Sequence, residues 1–242
     1  WGRMLYLNLD KYQADVLFGD INDIRSFLLV KLKLLEFIQS WTGNKSIKQP
    51  YVCIDNEKLY RAFMVNENAC KIISFGFEFN FKTTSPDLNA ANAIITIHYK
   101  GRNGLVTAKN ISDAIAILKQ YEQREENLYC DLDFDDEDNI SIESKRLFEY
   151  VLMQEAGYVR FDNATQGYKE WIHPLNHFDI NYSNVTYKMG LYHKITIDEL
   201  LTMFDKNKVK PFVLLNPDKR TILTFPIRKK SKNNKGKRRK KR

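Results

Sequence analysis

The stretch 71–84, KIISFGFEFNFKTT, restricts the possible folds more than any other part of the chain. From Ile73 onward the side chains alternate. Ile73, Phe75, Phe77, Phe79 and Phe81 fall on one side of an extended backbone, and Ser74, Glu78, Asn80 and Lys82 on the other. A period of two, apolar on one face and polar on the other, describes a strand of an antiparallel sheet with a core on one side and water on the other. Segment 92–101, NAIITIHYKG, reads as its partner across the polar connection 83–89.

Around this hairpin the period changes to that of helices. In 20–43, DINDIRSFLLVKLKLLEFIQSWTG, Ile21, Ile24, Phe27, Leu28, Leu32, Leu35 and Ile38 recur at helical spacing, with Asp20 as N-cap and Gly43 as the terminating residue. Leu29, Val30, Leu34, Phe37 and Trp41 widen the stripe, so this is read as a central helix packed on two sides. A helix is expected from near Ser112, turning Ile111, Ile115 and Leu118 inward, and another from near Ser141 to Gly157. Strands follow in 158–162, 177–182 and 185–194. Thr196 and Glu199 stand at the spacing of a capping box and open a short helix. Two apolar segments flank an Asn-Pro-Asp turn in 211–227. This order predicts an α+β fold, a mostly antiparallel sheet packed with several helices. Residues 1–227 form the expected globular body, with 131–139 as the place for any internal boundary.

The chain has 242 residues and a net charge of +8, but that charge is unevenly placed. Segment 228–242, RKKSKNNKGKRRKKR, holds 11 basic residues and no acid, and removing those 11 charges leaves the other 227 residues at −3. Such a run repels itself and has no apolar content, so a disordered tail is expected. Against a polyanion the same charges release counterions and bind phosphates without regard to sequence. Lys237, Arg238, Arg239, Lys240, Lys241 and Arg242 are the expected nucleic-acid contacts. Lys188 and His193, interleaved with Tyr187 and Tyr192, could add a second stacking surface, or be ordinary strand residues. The opposite charge gathers in 131–138, six acids in eight residues. It reads as a solvated loop, because Asp136 stands where a calcium loop needs glycine.

Cys53, Cys70 and Cys130 are odd in number and contain no CxxC pair, so neither a disulfide framework nor a zinc knuckle is supported and a reducing, cytoplasmic setting is expected. No apolar run approaches the roughly 18–20 residues of a membrane span, so no membrane partner is expected. The opening WGRMLYLNLDKYQ lacks the basic start and apolar block of a secretion leader, and Trp1 is not a natural initiator. Glycine-rich phosphate loops and G-x-S-x-G elbows are missing. Glu78 and Lys82 miss the Glu-x-Lys spacing of restriction-type nucleases, and no motif adjoins any cysteine.

Two of the four histidines, His173 and His177, stand four apart in 170–182, EWIHPLNHFDINY. On a helix that spacing would aim both rings at one metal, but the glutamate of H-E-x-x-H is absent and Pro174 opposes a helix. A turn feeding a strand fits better, with one imidazole bonded to backbone. A metal would need a third ligand from His193, His98, Asp179 or Asp162. No cofactor or metal is therefore expected, and His173, His177, Asp179 and Asp162 stand as candidate catalytic residues without an assigned reaction.

Residues 158–205 resemble the C-terminal part of a functionally uncharacterised bacterial domain family. In that family an aromatic-plus-Asp strand leads to a His-Pro-x-x-His turn, then a strand and a short helix. The matching positions are Arg160, Phe161, Asp162, His173, Pro174 and His177. Tyr187, Lys188 and Met189 stand where the family would have Arg-Ile-Pro. The resemblance implies a setting near mobile-element and phage-defence genes, and no reaction. Together these features predict a nucleic-acid-associated accessory protein with a protein partner, possessing no convincing catalytic motif. The alternatives are a metal-assisted nuclease built on His173, His177 and Asp179 or Asp162, and a protein-interaction subunit docking through helix 21–42.

Overall fold

The computed structural model describes residues 4–43, 46–85, 90, 93–124, 140–169, 172–180 and 187–208. Segments 131–139, 211–227 and 228–242 thus lie outside the described residues. Strands β1 (Met4–Asn8), β2 (Tyr51–Asp55), β3 (Arg61–Val65), β4 (Lys71–Gly76), β8 (Tyr158–Asn163), β9 (Asn176–Ile180) and β10 (Tyr187–Gly190) make one sheet in the order β1-β2-β3-β4-β8-β9-β10, antiparallel throughout. Strands β5 (Phe79–Thr83), β6 (Ile95–Tyr99) and β7 (Leu105–Val106) make a second, also antiparallel. Helices α1 (Lys11–Leu17), α2 (Ile24–Gln39), α3 (Ala108–Arg124), α4 (Ile142–Leu152) and α5 (Ile197–Phe204) complete an α+β fold.

The pleat of the large sheet divides two cores. Leu5, Leu7, Val52, Ile54, Ala62, Met64, Ile73, Phe75 and Tyr158 project to the side covered by α1 to α4. Met4, Cys53, Phe63, Val65, Ile72, Phe161 and Phe178 project to the other, where Leu200 and Leu201 of α5 meet them. Tyr121 of α3 stacks on Phe148 of α4 with centroids 5.9 Å apart, so helices on either side of 131–139 share one core.

The alternating stretch is a strand in two pieces. Phe77 N donates to Tyr60 O (2.7 Å), one step beyond the Arg61–Gly76 pair in the same register, and the turn in which Phe79 N donates to Phe77 O (3.0 Å) then takes the chain out of the β4 ladder and into the second sheet. All four phenylalanines from Phe75 to Phe81 stay in the helix-side core through the bend. At the bend Gly76 is required by space, since a Cβ there would lie 2.7 Å from Glu155 Oε2, which is paired with Arg61.

Helix α2 begins three residues later than the sequence suggests, because Asp23 and not Asp20 caps it, its carboxylate accepting from Ser26 N at 2.8 Å. It stops at Gln39, before Gly43. Phe27, Leu32, Leu34, Leu35 and Ile38 are fully buried, so the apolar stripe is already occupied by core and offers little surface to a docking partner. Helix α3 starts at Ala108, ahead of Ser112, and Ile111, Ile115 and Leu118 are buried as expected. The Ser141 cap and the Thr196–Glu199 capping box are both formed, although α4 ends at Leu152.

Candidate functional site

Continuing along β8 from Tyr158, the pleat brings Arg160 and Asp162 to the helix side of the sheet. The register sets Asp162 opposite His177 and Arg160 opposite Asp179 on β9, and Lys188 of β10 opposite Asp179. Five chemistry-bearing side chains from three adjacent strands therefore meet on one face. Arg160 Nε donates to Asp162 Oδ2 (2.7 Å), and Arg160 Nη2 to Asp179 Oδ2. Lys188 Nζ donates to both oxygens of Asp179 at 2.9 Å and to His177 Nε2 at 3.2 Å. Asp162, His177 and Asp179 are buried, with Asp179 only 1% exposed.

The hydrogen bonds specify the imidazole. His177 Nδ1 lies 2.7 Å from Pro174 O, and a carbonyl only accepts, so Nδ1 carries the proton. Nε2 then presents a lone pair to the Lys188 ammonium. Burial pushes the His177 pKa below its usual value, outweighing the Pro174 carbonyl and the two aspartates. Burial also opposes the Arg160 charge, but Asp162 and Asp179 together hold its pKa above the ordinary arginine value. Two cations and two carboxylates face each other around a neutral histidine.

The His-Pro-x-x-His stretch is the turn that delivers this histidine. Lys169 and His173 bridge it at its base, Ala164 N donates to Leu175 O, and Leu191 N to Asn176 O. Gly190, opposite His177, sits against the proline, where a Cβ would come within 3.2 Å of Pro174 Cγ. His173 Nδ1 is bonded to Gly167 O (3.1 Å), and its ring lies 4.8 Å from that of His177. Both imidazoles thus make a backbone bond, and β9 begins at Asn176, as a turn feeding a strand requires.

The structure brings Asp162, His177 and Asp179 together, with ligand atoms within 4.8 Å of one another, and adds Lys188 and Arg160. His173 is left at the rim. His98 lies in the second sheet, bonded to Thr96 Oγ1 (3.0 Å), and His193 Nε2 meets Glu199 Oε1 (2.8 Å). Lys188 is committed to Asp179 and His177, so it is not offered as an open phosphate contact, whereas Tyr192 is 60% exposed. Lys237, Arg238, Arg239, Lys240, Lys241 and Arg242 lie outside the described residues. Sequence reasoning missed the Lys188–Asp179 pair and used Arg160 only as a motif position. The available signal was the i, i+2 spacing of Arg160/Asp162 and His177/Asp179 in successive strands, which places each pair on one face.

Groups outside the cluster carry structural duties. Asp55 Oδ1 accepts the backbone N–H groups of Glu57, Lys58 and Leu59, and Glu78 pairs with Lys100 at 3.4 Å. Burial pushes the Cys53 thiol up to about 12, which removes its nucleophilic form at neutral pH. Cys53 is expected to stay unmodified by a thiol reagent in the native protein and to react on unfolding, as mass mapping of the labelled residue would show. Labelling at the rate of Cys70, which is partly exposed, would contradict this.

No helix among the described residues is long and apolar enough to cross a membrane. Comparison with protein-family models, curated proteins and solved structures finds no match to this chain.

Proposed function

We propose that this is a nucleic-acid-associated accessory protein that holds RNA or DNA phosphates through segment 228–242, within a prokaryotic defence or mobile-element complex that includes a protein partner. The observation that carries the reading is the division of charge, with 11 cations in the last 15 residues and −3 on the rest. Arg160 and Lys188, the cations of the β8–β10 cluster, are spent on Asp162 and Asp179, which leaves the basic segment as the concentrated source of positive charge. Each phosphate it neutralises steepens the salt dependence by about 0.7–0.9 in log affinity per log salt.

The test compares the intact chain with one ending at Ile227 on short oligonucleotides over a range of salt. The intact chain is expected to show a slope steeper than about −4, and the shortened one a slope near zero with weak binding. Equal affinity and equal slope in both would reject the reading. A second reading, metal-assisted cleavage of nucleic acid, is favoured by the convergence of Asp162, His177 and Asp179 on one face of the sheet. Oligonucleotide cleavage that needs a divalent ion and is lost in Asp179→Asn would support it.

A further inference from the structure

Three atoms that bear no hydrogen face one another inside the β8–β10 cluster. His177 Nε2 lies 3.6 Å from Asp162 Oδ2 and 3.7 Å from Asp179 Oδ1. Lone pairs converge at such distances when positive charge holds them, and here the Lys188 ammonium is bonded to His177 and to both oxygens of Asp179, while Arg160 Nε holds Asp162 Oδ2. Nitrogen and oxygen ligands that share an ion at about 2.1 Å lie roughly 3.0–3.4 Å from one another. The two distances from His177 Nε2 need to close by only a few tenths of an ångström, and the ligand atoms of all three residues lie within 4.8 Å of one another.

The surroundings are those of a prepared ligand set. The bond from His177 Nδ1–H to Pro174 O turns the unprotonated Nε2 inward, the orientation that a backbone carbonyl imposes on a metal-binding histidine. Arg160 grips both carboxylates from a second direction, fixing their orientation. The Lys188 side chain is 25% exposed, so its ammonium has a route to solvent while Asp179 stays buried at 1%.

We infer that Asp162, His177 and Asp179 are the ligands of a divalent first-row metal ion, and that the Lys188 ammonium is a tethered occupant which the metal displaces. One imidazole with two carboxylates suits zinc or manganese. Three protein ligands leave at least one position open, as in zinc sites that bind water or substrate rather than closed structural ones. The exchange replaces a single positive charge by a double one and requires no proton to leave His177 Nε2. The inference goes beyond the nucleic-acid reading and does not depend on it, since no nucleic acid enters its test.

Zinc alone is the probe, titrated against a chromophoric chelator into the intact chain, Lys188→Met, and Lys188→Met combined with His177→Ala. Lys188→Met is expected to bind one zinc per chain at least tenfold more tightly than the intact chain, and the added His177→Ala to abolish that gain. Zinc held by other surface histidines or by Cys70 contributes equally to all three chains and cancels. Equal zinc affinity in the intact chain and Lys188→Met would overturn the inference, and so would a gain that survives His177→Ala. Should Lys188→Met fail to fold by circular dichroism, Lys188→Gln, which keeps a donor for Asp179, carries the same comparison with the same two outcomes.

Discussion

Asp179→Ala is expected to lower the unfolding free energy by about 3–5 kcal/mol, the cost of breaking a buried ion pair from one side. The carboxylate is 1% exposed and serves Arg160 and Lys188 together. Without it, Asp162 alone faces two cations that are only 28% and 25% exposed. The loss is large because what remains is uncompensated charge, and it does not measure what the pair adds in the intact protein. Replacing Arg160, Asp162, Asp179 and Lys188 together by apolar residues of similar size leaves no unpaired charge and should therefore cost less than Asp179→Ala alone. Urea unfolding at neutral pH checks both statements, with the midpoint falling and the slope unchanged. A loss under about 1 kcal/mol for Asp179→Ala would mean that water already solvates the cluster.

The second large effect concerns Lys31, a cation inside α2 that is 1% exposed. Its ammonium donates to Glu155 O at 2.8 Å and lies 4.7 Å from the centre of the Phe27 ring. Burial, only partly offset by Glu155, pulls its pKa from 10.5 to about 8. The folded value is the lower one, so between about pH 8 and 10.5 the unfolded chain binds more protons and stability rises with pH. For a shift of this size the rise approaches about 3 kcal/mol over the whole window. Lys31→Met removes the buried charge at the expense of one hydrogen bond to Glu155 O. It is expected to stabilise the protein at pH 7 by about 1–3 kcal/mol. The gain should shrink toward alkaline pH, where the intact chain no longer carries the charge. The difference between the two chains at each pH is the quantity to measure, because it cancels the tyrosines, several of which titrate high through burial. A gain that does not change with pH would show that Lys31 binds its proton equally in the folded and unfolded chain, and that burial does not lower its pKa.

Local signals in the chain were legible where the physics is local. A serine or threonine cap with its partner three residues on needs only neighbouring backbone, and Ser141 and Thr196–Glu199 cap helices as their spacing suggests. Strands β8, β9 and β10 lie in the segments expected to hold them. Strands β1, β2 and β3 were not legible. All five residues of β2 are buried, because cores cover both faces of the sheet, and a strand buried on both sides has no alternation to detect. The division of the 71–84 stretch was hidden for the opposite reason. Its alternation runs unbroken through the bend at Gly76–Phe79, since all four phenylalanines still face one core.

The chain's own pattern determined that Arg160 shares a face with Asp162, and His177 with Asp179, because successive residues of any strand point to opposite sides. It likewise determined the uneven distribution of charge, which follows from the order of the residues alone. Tertiary structure decided that the two pairs meet, and that Lys188 brings its ammonium onto His177 and Asp179. Those contacts depend on the register of three strands and join side chains up to 19 residues apart in sequence, as with Arg160 and Asp179. Register across such separations is selected by burying Phe161 against Phe178 on the far face, a choice made by the core as a whole and not by any short stretch of chain.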